Sequence, residues 1–365
     1  MQIRAAVATA KSEPFVVQTL ELEEPRPDEV LVRVVASGVC HTDLVVRDQY
    51  YPTPLPAVLG HEGAGIVERV GERVSRVQPG DHVVMSYLTC GVCPACREGQ
   101  PGQCPALFAL NFGGARADHS QALHQDGHAL SSHFFGQSSF GTYALANERN
   151  VVKVTQDVPL DILGPLGCGI QTGAGGVINS LHPRAGTSIA VFGAGSVGLS
   201  AVMAARVVGC TTIIAVDTKP NRLELARELG ATHVVNASET NAVEAVQSIT
   251  GGGANYSLET TAVPTVFRQA VDALQLRGVC GLIGAAPLGT EASFDMNTIL
   301  FGRTIKGIIE GDSVPEVFIP RLIELYRQGR FPFDRLIRFY SLDEINQAAE
   351  DSLAGTTLKP VLRMR

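Results

Sequence analysis

The first third of the chain alternates short apolar runs with glycine and proline punctuation, as in EVLVRVVASGV and AGIVERVGERVSRVQPGDHVVMSY. This pattern predicts antiparallel, barrel-like β-structure with turns at Glu72-Arg73 and Pro79-Gly80. From about residue 170 the rhythm changes to strand and helix in alternation: SIAVFGAG, SVGLSAVMAARVVG, TIIAVDT and PNRLELARELG. That is the signature of right-handed βαβ units and hence of a parallel, doubly wound sheet. YSLETTA and GVCGLIGAA continue it as strands, separated by helical stretches such as PTVFRQAVDALQL. After about residue 310 a helix, FIPRLIELYRQG, and a closing strand, LKPVLRM, are expected to return to the first domain. Residues 104–140 are rich in Gly, Ser, His and Ala with weak periodicity, and read as a long surface excursion of the kind that often carries function.

A chain of 365 residues exceeds one compact core. The expected division is therefore a β-rich domain of residues 1–170 and 310–365 and a dinucleotide-binding domain of residues 171–309. With 45% apolar and 18% charged residues the composition is that of a globular α/β protein. The formal net charge of −7, with its signs interspersed, argues against nucleic acid and membrane as partners. The start MQIRAAVATAKSEPF lacks the apolar stretch of a signal peptide, and no apolar run of about 18 residues occurs elsewhere, so the cytoplasm is the expected compartment. Of the eight cysteines, four are bunched together, and in a reducing compartment metal ligation explains them better than disulfides.

Gly193, Gly195 and Gly198, with Ser196 and Val197, fit G-x-G-x-x-G directly after an apolar strand and before an apolar helix. In that setting the glycines serve a tight turn, close backbone approach to a pyrophosphate and helix–strand packing, and the helix N-terminus attracts negative charge. The next strand ends in Asp217, about 20 residues on, where an acid binds a ribose 2′-hydroxyl. NAD is preferred over NADP on this ground, although Lys219 and Arg222 follow closely and soften the rejection of a 2′-phosphate.

Cys90, Cys93, Cys96 and Cys104 supply four thiolates on a short loop, the donor set of a closed tetrahedral zinc site. A bacterial ferredoxin run also begins C-x2-C-x2-C, but it has three residues before its last cysteine where this chain has seven, so zinc is favoured. With all four positions filled by sulfur, this ion is structural. Cys40, His61 and Cys168 would complete a Cys2His set with an open fourth position, although spacing alone cannot show that such distant residues meet.

GHEGAGIVERVG, the four-cysteine spacing, VFGAGSVGLSA, VDTKPNRLELARELGA and LKPVL together resemble the zinc-containing medium-chain alcohol dehydrogenases over essentially the whole chain. The resemblance implies a GroES-like catalytic domain and a Rossmann domain, two zinc ions per subunit, NAD, and a homodimer or homotetramer. It implies that Cys40, His61 and Cys168 hold the catalytic zinc, that Glu62 is a neighbouring group or transient ligand, and that Asp43 orients the ligand histidine. Thr42 matches the hydroxyl that takes the alcohol proton. Many relatives place a histidine three residues further on to pass that proton to solvent, and this chain has Val45 there. His41 and Lys359 match positions at the cofactor pyrophosphate, and Thr172 and Ile283 positions beside the nicotinamide; Tyr87, Leu110 and Phe140 match pocket walls, for which core packing is an equal account.

EGDSVPEVFIPRLIELYRQGRFPFDRLIRFY and the ending TLKPVLRMR are most similar to the bacterial aryl-alcohol (benzyl alcohol) dehydrogenase branch, which includes relatives acting on geraniol. The reaction implied is reversible oxidation of a primary, benzyl-type alcohol to the aldehyde. The alternatives are a terpenoid alcohol dehydrogenase, a glutathione-dependent formaldehyde dehydrogenase and a non-catalytic dinucleotide-binding protein. His119, His124, His128 and His133 are read as a solvated loop, and Cys210 and Cys280 as buried apolar residues.

Overall fold

The computed structural model describes residues 1–364 and divides into two compact units, one of Met1–Cys168, Val314–Glu324 and Asp334 onward, the other of Gly169–Ser313 and Leu325–Phe333. The first unit opens with strands β1 (Gln2–Ala8), β2 (Val16–Leu22) and β3 (Glu29–Gly38), helix α1 (His41–Arg47), and strands β4 (Ala57–Val58), β5 (Glu62–Val70) and β6 (His82–Met85). The expected turns fall at Glu72-Arg73 and Pro79-Gly80. Helices α2 (Pro94–Arg97) and α3 (Leu107–Phe112) follow, then strands β7 (Leu123–Gln125), β8 (His128–Leu130), β9 (Tyr143–Asn147) and β10 (Val151–Lys153).

Strand β3 is the spine of this unit. Its Val-rich sequence suits a strand packed on both faces. One edge pairs with β5 along its length, while the other is shared by β9, opposite Glu29–Arg33, and by the strand formed near the end of the chain, opposite Ala36–Gly38. Its backbone groups are therefore satisfied on both sides, and Val30, Leu31 and Val32 are buried.

The excursion at 104–140 departs from the surface loop expected. Residues 131–140 are buried throughout, with Phe134, Phe135 and Phe140 inside the core of this unit. His119 and His128 are exposed, but His133 is 5% exposed, bonded through Nδ1 to Ser132 Oγ at 2.9 Å. The phenylalanines supply the driving force that the surrounding Ser, Gly and His obscure.

In the second unit the chain forms helix α4 (Gly169–Gly175), then β11 (Ser188–Phe192), α5 (Ser196–Val207), β12 (Thr212–Asp217), α6 (Pro220–Leu229), β13 (His233–Asn236), α7 (Ala242–Thr250), β14 (Ala254–Glu259), α8 (Pro264–Asp272), β15 (Leu274–Leu282), α9 (Met296–Leu300) and β16 (Thr304–Gly307). The strands pair in parallel in the order β13-β12-β11-β14-β15-β16, the doubly wound arrangement the sequence predicts. Helix α8 is shorter than PTVFRQAVDALQL suggests: it stops at Asp272 and Leu274 already belongs to β15, which takes a positive φ at Arg277. Cys210 and Cys280 are buried.

The last part of the chain supplies α10 (Pro315–Arg327), β17 (Ile337–Ser341), α11 (Ile345–Ala354) and β18 (Lys359–Arg363). Strand β18 is the late partner of β3. Among the described residues no helix is long and apolar enough to cross a membrane.

Candidate active site

The register of β3 with β5 sets Gly38 opposite Glu62, so Cys40, just past the end of β3, meets His61, just before the start of β5. The close pairing requires glycine at 38, where a Cβ would stand 2.0 Å from Glu62 Oε2. Cys168 enters on a turn whose Gly167 carbonyl accepts a hydrogen bond from Ser86 Oγ at 2.6 Å. The ligand atoms of Cys40, His61, Glu62 and Cys168 all lie within 4.8 Å of one another.

Asp43 organises this cluster. Its Oδ2 accepts the Cys40 N–H at 2.8 Å, and its Oδ1 accepts the Gly60 N–H at 3.1 Å and faces His61 Nδ1 at 2.9 Å. With Nδ1 occupied, His61 Nε2 is buried and makes no hydrogen bond among the described residues. A fully buried imidazole nitrogen beside two thiols is costly unless something binds it, and a metal ion fits that donor set. The Cys40 thiol is held well below the usual thiol range by its hydrogen bond with Cys168, against the effect of burial, with Lys359 adding to it. Burial alone would lower the His61 pKa, but Asp43 outweighs it and holds the pKa well above the ordinary value.

Glu62 is tied to Lys359, whose Nζ donates to both carboxylate oxygens at 2.8 and 2.9 Å. Lys359 is 2% exposed, and the partner the structure gives it is Glu62. His41 is exposed at the start of α1. Thr42 is half-buried, its Oγ1 3.8 Å from Cys40 Sγ, and Val45 is half-buried on the same helix. Tyr87 and Phe140 are buried; Phe140 packs edge-on to Phe15 with ring centroids 5.9 Å apart, so core packing accounts for it.

The residues that sequence reasoning missed are Phe134, Phe135 and Gln137. The Phe135 ring stacks on the His61 imidazole with centroids 4.4 Å apart, and Phe134 meets it edge-on at 5.4 Å. Gln137 Nε2 donates to the carbonyls of His61 and Ser86 at 3.0 and 3.1 Å, and its Oε1 accepts the Gly63 N–H at 3.1 Å. The adjacent pair of phenylalanines was the available signal.

Away from this cluster, Cys90, Cys93, Cys96 and Cys104 bring their sulfurs within 4.8 Å of one another. Backbone N–H groups of Val92 and Cys93 lower the Cys90 thiol to about 6, whereas Cys96 is pushed up to about 11, first by burial and further by Cys93 and Cys104. Thiolates that crowd and repel in this way are the set a dication neutralises.

In the second unit the glycine-rich turn caps β11. Gly193 has φ +97°, and a Cβ on Gly198 would lie 1.8 Å from the Gly193 carbonyl oxygen, so turn and packing both demand glycine. A Cβ on Gly195 would meet nothing within 4 Å among the described residues, so the backbone before the N-terminus of α5 is open to the close approach that a pyrophosphate requires. Ser196 and Val197 form the first turn of α5. At the end of β12, Asp217 Oδ2 accepts the Ala194 N–H at 2.6 Å and Oδ1 accepts the Thr218 and Lys219 N–H groups at 2.8 and 2.9 Å. Arg222 Nη1 stands 3.9 Å from the same carboxylate, which it partly neutralises. Thr172, on α4, is buried with Oγ1 3.4 Å from Glu310 Oε2, and the Ile283 N–H donates to the Glu259 carbonyl at 2.9 Å.

Comparison with known proteins agrees with this geometry. Residues 26–156 match the alcohol dehydrogenase GroES-like domain, and residues 196–327 match the zinc-binding dehydrogenase family. The chain is 48% identical over 362 residues to a geraniol dehydrogenase of Castellaniella defragrans, covering 98% of this chain and 97% of that protein. The solved structure of an alcohol dehydrogenase zinc-binding domain protein from Burkholderia ambifaria superposes with a TM-score of 0.99 at 60% identity, covering 100% of this chain and 99% of the other. That of benzyl alcohol dehydrogenase from Acinetobacter calcoaceticus gives 0.97 at 53% identity, covering 100% of both. The chain belongs to the zinc-containing medium-chain alcohol dehydrogenase family.

Proposed function

We propose that this zinc alcohol dehydrogenase oxidises a primary benzyl-type alcohol to the aldehyde, reversibly and with NAD, at the cluster of Cys40, His61 and Cys168. The observation that carries the reading is the buried His61 Nε2, which makes no hydrogen bond among the described residues, in a group whose ligand atoms, with those of Cys40 and Cys168, lie within 4.8 Å of one another. Zinc supplies Lewis acidity toward an alcohol oxygen and the dinucleotide supplies the hydride acceptor.

The chain's own residues divide the remaining work. Cys40, His61 and Cys168 hold the metal and leave a fourth position for substrate, with Glu62 alongside. Asp43 fixes the tautomer and direction of His61 through Nδ1. Thr42 Oγ1 takes the alcohol proton. Val45 has no titratable group and cannot relay it onward. Gly193, Gly195, Ser196, Val197 and Gly198 present the turn and helix N-terminus to the pyrophosphate, Asp217 holds the ribose, and Thr172 and Ile283 support the nicotinamide. His41 serves the pyrophosphate from its exposed position; Lys359 secures Glu62. Cys90, Cys93, Cys96 and Cys104 hold the second zinc, which clamps their loop.

The apolar Val45, which puts no polar group at that position of α1, favours a bulky apolar alcohol. The relatives named for benzyl alcohol and for geraniol both fall in that class. Assembly as a homo-oligomer through β16 is supported by its position as an edge strand and by the exposure of Met296, Leu300 and Phe301 beside it.

The test compares NADH formation with benzyl alcohol, geraniol and ethanol, and with formaldehyde in the presence and absence of glutathione. Benzyl alcohol should lead and ethanol lag. Geraniol far ahead of benzyl alcohol would move the assignment to terpenoid alcohols, and turnover confined to formaldehyde with glutathione would overturn it.

A further inference from the structure

Phe135 has no role in the reaction described so far, yet it occupies an unfavourable backbone conformation against a metal-site residue. Its φ of 51° and ψ of 32° lie in the left-handed region, where the Cβ of a bulky residue is crowded. Such a conformation persists only where the surroundings over-determine it, and it clusters at functional sites. Its ring lies nearly parallel to the His61 imidazole, 28° between planes and 4.4 Å between centroids.

A hydrogen bond at Nδ1 fixes one point of the imidazole and leaves its plane free to tilt about that bond. The Asp43 contact is of this kind, at 2.9 Å. The Phe135 face supplies the missing restraint on the plane, and the edge of Phe134, at 88° to the imidazole, closes a further side. The turn that carries both rings is anchored to the same histidine, because Gln137 bonds the His61 carbonyl and the Gly63 N–H. Filling a cavity would require neither a planar side chain nor a left-handed backbone. The geometry points to Phe135 as a positioning residue that fixes the plane of the His61 ring and so aims Nε2 at the metal shared with Cys40 and Cys168. The inference rests on the proposed metal site.

The test uses the full-length zinc protein and follows release of each zinc to a chelator, together with the visible absorption of the cobalt-substituted protein. Phe135→Leu keeps apolar bulk and removes the flat face. It should speed release of one zinc by roughly 10- to 100-fold, leave the four-cysteine zinc unchanged, and alter the cobalt spectrum. Phe135→Tyr retains the ring and should restore wild-type release. If Phe135→Leu fails to accumulate as folded protein, Phe135→Met, also apolar and non-planar, takes its place. Release of both zincs in parallel, unchanged release, or a tyrosine variant as labile as the leucine variant would each overturn the inference. A wild-type chain holding only the four-cysteine zinc would instead remove the metal-site reading on which it rests.

Discussion

Lys359 Nζ sits between the two carboxylate oxygens of Glu62, and both side chains are buried. Burial alone would lower the lysine pKa, but Glu62 reverses this and holds it above its ordinary value. Removing one member leaves an uncompensated charge in the interior. Lys359→Met should therefore cost about 3–5 kcal/mol, and Glu62→Gln in the same chain should recover part of that loss. Urea unfolding of the single and double variants measures the coupling; equal costs in both would dissociate the pair.

Asp217 joins the end of β12 to the glycine-rich turn through the Ala194 N–H, and the same carboxylate is proposed to hold the ribose. Asp217→Asn retains an acceptor for the turn but loses the charge. It should raise KM for NAD about 10-fold, the equivalent of about 1.4 kcal/mol, and narrow the preference over NADP. Steady-state kinetics with both cofactors checks this, and an unchanged ratio would rule out the role.

The glycine fingerprint and the four-cysteine loop were readable because each depends on neighbours in sequence. The doubly wound sheet was readable for the same reason: β11, α5 and β12 follow one another with a clear change of period. The grouping of Cys40 with His61 lay outside any local pattern, since it depends on Gly38 pairing with Glu62 across two strands; only resemblance pointed to it. Phe134 and Phe135 were hidden by the polar residues around them, and Lys359 met Glu62 because β18 pairs with the far end of β3. Where a helix runs straight into a strand, as at Asp272 and Leu274, apolar periodicity marks no boundary.

The Arg116 guanidinium bonds both oxygens of Glu29, at 2.6 and 3.1 Å, in a buried position where His133 Nε2 stands 3.6 Å away. Burial would raise the Glu29 pKa, but His133 and Arg116 outweigh it and hold it at about 2, below its ordinary 4.5. A depressed carboxyl pKa stabilises the fold fully above the unfolded value, and that stability is lost as pH falls from about 4.5 toward about 2. The stability of the wild type should thus fall through this window with a slope of up to about 1.4 kcal/mol per pH unit from this group. Glu29→Gln should remove that component, as measured by urea unfolding at several pH values; an unchanged slope would refute it.

The four-cysteine zinc is expected to stabilise rather than catalyse. Cys93→Ala should lower the thermal midpoint and the zinc content together, while protein that remains folded keeps most of its kcat. Calorimetry on metal-assayed samples tests this, and loss of kcat without loss of stability would reverse the roles of the two sites.

The central claim is that Cys40, His61 and Cys168 hold the catalytic metal, and the most direct measurement is zinc content and NADH formation in Cys40→Ala beside the wild type. The account predicts one zinc for each of the two donor groups in the wild type, and in the variant one zinc retained, benzyl alcohol turnover abolished and the protein still folded, with a smaller fall in thermal midpoint than in Cys93→Ala. A variant that keeps both zincs, or that still turns over benzyl alcohol, would contradict it.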